Sequence, residues 1–213
     1  MNINSSKLLK NLPIKLHNPN SILSSIFNGE IIIFEKSSFI QAIIKTAKSH
    51  FKKIFSLSLE DFLNNKNNLS FDMKEKLFLK LQKDIKRCSV INDNFTFFLE
   101  ELGFNPEYIF KDQYSIRYSP KQYGRSLGKL KPAPPHRDTW ASNLFDQINF
   151  WLPIHKISAS NSIYIVPKYF KEKVENNSRG WSFENFKNKH DYPSTPFTKI
   201  NILDEEKKSF QID

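Results

Sequence analysis

The run Pro134-Pro135-His136-Arg137-Asp138-Thr139-Trp140 stands ahead of Gln147-Ile148-Asn149-Phe150-Trp151-Leu152-Pro153-Ile154 and Asn161-Ser162-Ile163-Tyr164-Ile165-Val166-Pro167. The β-branched and aromatic content of the last two runs, each closed by a proline, predicts strands at about 147–152 and 162–166. On an extended strand residues i and i+2 project from one face. His136 and Asp138 can therefore offer an imidazole nitrogen and a carboxylate oxygen to one point while Arg137 points away. An imidazole and a carboxylate aimed at one ion are two of the three protein ligands in the two-His, one-carboxylate arrangement that leaves positions open on non-haem Fe(II).

On either side of these runs the pattern of the chain differs. Upstream, Tyr114, Ile116 and Tyr118 alternate with Ser115 and Arg117, a period of two that predicts a strand. Residues 119–135 hold Gly124, Gly128, Pro132, Pro134 and Pro135 and read as a loop. Downstream, 198–203 and 209–212 are further strand candidates. The first half, by contrast, has helical spacing after one short strand at 31–34. Ser37 and Ser38 are N-cap candidates for a helix reaching about Phe55, with Phe39, Ile43, Ala47, Phe51 and Phe55 recurring every fourth residue. A second helix opens at Asp72, with Glu75 completing a capping box, and carries Leu77, Phe78, Leu81 and Ile85. A third fits 93–102, with Phe95, Phe98, Leu99 and Leu102 inward and Gly103 as the stop. These stripes are core packing. The expected class is α+β, with a mainly helical part over 1–110 and a β-rich part over 111–213.

Composition limits what the chain can be. Its 213 residues carry a formal net charge of +10, with 39% hydrophobic and 14% aromatic residues, the balance of a globular and not a disordered chain. Cys88 is the sole cysteine, which excludes an internal disulfide and a cysteine-rich zinc site, so any metal must be held by His and carboxylates. The longest apolar stretches, such as Ile31, Ile32, Ile33 and Phe34, are far short of a membrane span, and residues 1–16 contain no continuous apolar region of the secretory type. The expected compartment is the cytoplasm. The lysines are dispersed and no nucleic-acid-binding motif is present, so the surplus charge reads as a solvated basic surface and nucleic acid is not an expected partner.

Together, the three quoted runs resemble the Fe(II)- and 2-oxoglutarate-dependent dioxygenases of the phytanoyl-CoA dioxygenase-like branch. The resemblance covers residues 113 to about 170. It rests on an HxD followed by an alternating strand ending in a proline turn, then on an Asn-Ser step into a strand closed by proline. It implies a double-stranded β-helix, the cupin-like jelly roll, with the N-terminal helices packed outside it. It further implies Fe(II) held by His136 and Asp138, 2-oxoglutarate as co-substrate, and hydroxylation of a small organic substrate.

The family also has a second metal-binding His and, beyond it, an Arg that pairs with the distal carboxylate of 2-oxoglutarate. The chain reaches Asp213 about where that segment would begin, giving the expectation of a C-terminally incomplete core with open strand edges and a tendency to self-associate. His190 is the internal candidate for a third ligand, although Asn188, Lys189, Asp191, Tyr192 and Pro193 around it spell a surface loop. His155, His17 and His50 read as surface residues. Asn149 and Arg117 are candidates for holding the co-substrate acid, Asn149 equally for satisfying a backbone group. Trp140 and Trp151 are candidates for the substrate cavity or for aromatic core. Arg125, with Lys121, Lys129 and Lys131, is placed to gather an anionic substrate or simply to be solvated. The alternative to an oxygenase is a catalytically inactive, cupin-like ligand-binding protein.

Overall fold

The computed structural model describes residues 9–12, 18–34, 37–64, 66, 68–112, 114–118, 134–189, 192–193 and 195–210. The class is α+β, and the chain divides into two compact units, Met1–Arg117 and Tyr118–Asp213.

In the first unit, β1 (Leu9–Leu12) runs parallel to β2 (Ile31–Phe34), with α1 (Pro19–Phe27) between them in the chain. The start of α1 follows from Asn18, whose side chain accepts from the Asn20 N–H, and from Pro19, whose missing donor costs nothing in the first turn. Helix α2 (Ser38–Phe55) is capped by Ser37 and stopped at Ser56, which takes the left-handed conformation. Its every-fourth-residue stripe is the buried one: Ile43, Ala47, Phe51 and Phe55 are inside, joined by Ile54. The short α3 (Leu59–Leu63) follows Ser58, and α4 (Phe71–Lys86) follows. The cap of α4 is Ser70, two positions before the Asp72 chosen from sequence: the Met73 N–H is donated to Ser70 Oγ at 3.2 Å.

Four phenylalanines from these helices, Phe51, Phe55, Phe62 and Phe78, pack ring to ring. Phe51 and Phe55 stack at 4.1 Å between centroids, and Phe62 and Phe78 meet at 5.8 Å edge to face. Helix α5 (Ser89–Glu101) packs along α2 and begins a turn earlier than the expected Asp93. In that added turn Ile91 is buried, and the Val90 and Asn92 carbonyls accept from Asn94 Nδ2 and Thr96 Oγ1 of the turn that follows. Ile22 of α1 meets Phe98 and Leu102 in a second cluster against β2.

Residues 114–118 are extended but belong to no ladder. The Ile116 N–H is donated to Gln82 Oε1 at 2.7 Å, and Gln82 Nε2 donates to the Tyr114 carbonyl at 3.0 Å. A side-chain amide on α4 thus makes the pair of bonds that a neighbouring strand would make, and it ties this segment to the first unit.

The second unit departs further from its expected form. Antiparallel pairing joins β3 (Tyr164–Ile165) to β4 (Lys208–Ser209), matching Tyr164 with Ser209 and Ile165 with Lys208. The strands expected at 162–166 and 209–212 are therefore present in shortened form, while residues 211–213 lie outside those described. Among the described residues, 147–152 and 198–203 form no ladder, and a double-stranded β-helix is not shown. Single side chains fix the path instead. Asn177 accepts from and donates to the main chain of Phe197, Thr198 Oγ1 donates to the Glu175 carbonyl at 2.7 Å, and Trp181 Nε1 donates to the Pro193 carbonyl at 2.9 Å. No helix among the described residues is long and apolar enough to cross a membrane.

Candidate metal centre

Two consecutive prolines precede His136, and they set its surroundings. Proline brings a carbonyl but no donor, so both carbonyls must find their hydrogens elsewhere. The Pro135 carbonyl accepts from the buried Thr198 main-chain N–H at 3.0 Å, and the Pro134 carbonyl lies 2.7 Å from His136 Nδ1. A carbonyl can only accept, so Nδ1 carries the hydrogen of that bond, and Nε2 is the ring nitrogen turned toward Asp138.

His136 Nε2 faces Asp138 Oδ1 at 3.3 Å. The two side chains converge, but not by strand alternation. Asp138 has helical dihedrals, φ −61° and ψ −34°, and stands at the entry of a four-residue helix, α6 (Thr139–Ser142). Its main-chain carbonyl accepts from the Ala141 N–H at 3.1 Å. Its carboxylate does not turn back to cap that helix. It is held from the side by Asn149, whose Nδ2 donates to Asp138 Oδ2, while Asn149 Oδ1 accepts from Gln147 Nε2 at 2.8 Å. The turn of chain, and not a pleat, brings the imidazole and carboxylate together.

Between these two residues Arg137 does point away, and its target is specific. Nη2 donates to the main-chain carbonyls of both Tyr169 and Glu172, at the end of the 3₁₀ turn Pro167–Phe170. Its guanidinium carbon sits 5.7 Å from the Trp140 ring centroid. Trp140 is thereby engaged by a cation, while Trp151 and Phe150 are exposed.

The pair suits a divalent cation in its donor chemistry and spacing. With bonds of about 2.1 Å, adjacent ligand atoms stand roughly 3.0 Å apart around an octahedral ion and 3.4 Å apart around a tetrahedral one. The 3.3 Å between Nε2 and Oδ1 falls in that interval. The Pro134 and Asn149 bonds orient the imidazole and the carboxylate. Among the described residues no third His, Cys, Asp or Glu completes a cluster. His190, Arg125 and the lysines at 121, 129 and 131 lie outside the described residues, as does His17.

Elsewhere, Arg117 is exposed in the first unit. His155 Nδ1 lies 2.7 Å from the Lys156 carbonyl, and His50 Nδ1 is 4.0 Å from Asp84 Oδ2 on α4. Thr198 and the Arg137 contacts escape a reading by pattern. Their partners, Pro135 for Thr198 and Tyr169 and Glu172 for Arg137, lie more than thirty residues away, and no local pattern marks them. No family model, curated protein or solved structure matches this chain.

Proposed function

We propose that the second unit is the core of a non-haem Fe(II)- and 2-oxoglutarate-dependent dioxygenase of the phytanoyl-CoA dioxygenase-like type. In this reading it is built on a double-stranded β-helix and works in the cytoplasm, on a small and anionic organic molecule. The supporting observation is the approach of His136 Nε2 to Asp138 Oδ1 with the opposite ring nitrogen committed to the Pro134 carbonyl.

In this reading His136 presents the Nε2 lone pair and Asp138 presents one oxygen. Pro134 fixes the ring tautomer, and Asn149 keeps the second carboxylate oxygen engaged so that the first stays turned toward the imidazole. When bound, Fe(II) with 2-oxoglutarate supplies the oxidising power for hydroxylating a C–H bond. The chain supplies ligation and orientation.

The absence of a three-residue cluster among the described residues favours a second reading, a cupin-like protein that binds a ligand without turnover. Titration with Co(II), followed by its visible absorption, tests the shared premise. The wild-type chain is expected to bind, and His136→Ala to lose the spectrum. Equal affinity in the variant removes His136 from the site. Succinate release from 2-oxoglutarate under air then separates the oxygenase from the ligand-binding protein.

A further inference from the structure

We infer that Arg137 is a positioning residue that holds the His136–Asp138 turn in its ligating geometry by clamping it to the carbonyl end of the Pro167–Phe170 turn. This inference deepens the metal-site reading above and rests on it.

Three other bonds on this turn each hold one residue. Thr198 pins Pro135, the Pro134 carbonyl orients the His136 ring, and Asn149 orients the Asp138 carboxylate. The Trp140 N–H, donated to the Arg137 carbonyl at 3.0 Å, closes the turn locally, and none of these bonds ties the residue between the two ligands to distant chain. How the two ligands are turned relative to each other depends on the backbone at that residue, where a rotation would swing Nε2 and Oδ1 apart.

Arg137 is that residue, and its side chain reaches chain 32 and 35 positions away. Carbonyls at the end of a helical turn lack internal partners and carry partial negative charge, so they suit a guanidinium that stays protonated at all relevant pH. Trp140, two residues past Asp138, lies against the same guanidinium and adds a third point of attachment on the far side of the second ligand. The residue between the two ligands is thus itself tied to Tyr169, Glu172 and Trp140.

The test compares three variants. Arg137→Met keeps the apolar stem and removes every donor. Arg137→Lys keeps the charge without the planar group. Tyr192→Phe removes a hydroxyl that accepts from the Ser182 N–H and donates to the Gly180 carbonyl in the same unit, away from the turn. Two readouts apply: Co(II) affinity, and the His136 ring nitrogens in long-range proton–nitrogen spectra of the metal-free chain.

Outer-shell losses weaken metal binding by about 10- to 100-fold, and Arg137→Met is expected in that range. Its His136 ring signals should move from a single tautomer toward an average, and Arg137→Lys should fall between it and wild type. Tyr192→Phe should lower the unfolding midpoint with both readouts unchanged. Wild-type affinity and ring signals in Arg137→Met would overturn the inference, as would an equal loss in Tyr192→Phe. If Arg137→Met does not fold, the Lys variant carries the test, and wild-type values there overturn it. Should the wild-type chain itself bind no Co(II), the functional reading fails. The ring signals then decide the role of Arg137 separately, with averaging in the Met variant supporting it and no change overturning it.

Discussion

The two units are held together by different means. Fifteen of the eighteen buried apolar side chains among the described residues belong to the first unit, and Ile157, Pro196 and Phe210 to the second. The first is organised by stripes of Phe, Ile and Leu on helices, where each contact is non-directional and a burial pattern repeats along the chain. The second is organised by single polar side chains, among them Asn177, Thr198, Trp181, Tyr192 and Arg137, each closing one or two main-chain groups over a distance in sequence. A unit of the first kind resists small changes at its surface. A unit of the second kind depends on particular atoms, and that is where the candidate ligands sit.

Three substitutions can break or sharpen this contrast. Phe51→Ala removes the ring shared by the Phe55, Phe62 and Phe78 contacts and is expected to cost about 3–5 kcal/mol. Far-UV circular dichroism follows the helical unit, whereas Trp140, Trp151 and Trp181 all lie in the second, so tryptophan emission follows that unit alone. The helix transition should fall by more than the tryptophan transition; equal shifts would show that the contrast does not describe how the chain unfolds.

Gln82→Leu is the intermediate case, because it imposes on the first unit the kind of loss that governs the second. Orphaning the Tyr114 carbonyl and the Ile116 N–H is expected to cost about 1–3 kcal/mol. Amide exchange should rise at Ile116 while the α2 and α5 amides stay protected.

The smallest effect belongs to Glu206→Gln. The Glu206 carboxyl is held below its ordinary value of 4.5, first by the Lys168 ammonium at 2.7 Å and then by the Leu203 N–H. A carboxylate with a lowered value contributes stability that is present above the ordinary value and lost as pH falls through the lowered one. The tryptophan-detected midpoint of the wild type should therefore drop between about pH 6 and pH 3 more steeply than that of Glu206→Gln. Parallel curves would remove this pair from the bonds that hold the second unit.

Legibility in the sequence follows the same division. The α2 stripe, the α4 face and the inward residues of α5 could be read because burial of a helix face imposes a period on the residues that make it. The start of α5 could not, since Cys88 caps it with no side-chain bond and the added turn carries a single buried residue, Ile91. In the second unit, alternation at 147–152 predicted a ladder. Gln147 and Asn149 do bond to one another as residues two apart on an extended chain can, but no partner strand follows from their identity. His136 and Asp138 were legible as a pair of donors. Their approach through a helical turn was not, because it depends on Pro134, Asn149 and Arg137, whose partners lie along separate stretches of chain.

Gln82 sets the phase of the segment that ends the first unit. One carboxamide offers a donor and an acceptor in fixed relation, so it can grip an extended chain at only one register, with Tyr114 and Ile116 inward and half-buried and Ser115 and Arg117 outward. Sliding the chain by one residue would present a carbonyl where an N–H is required. Gln82 therefore works as an index pin: it stops the segment from rotating about its own axis just before the boundary at Arg117. Glutamate, with the same reach, would lose the donor, so the pin depends on a single nitrogen atom.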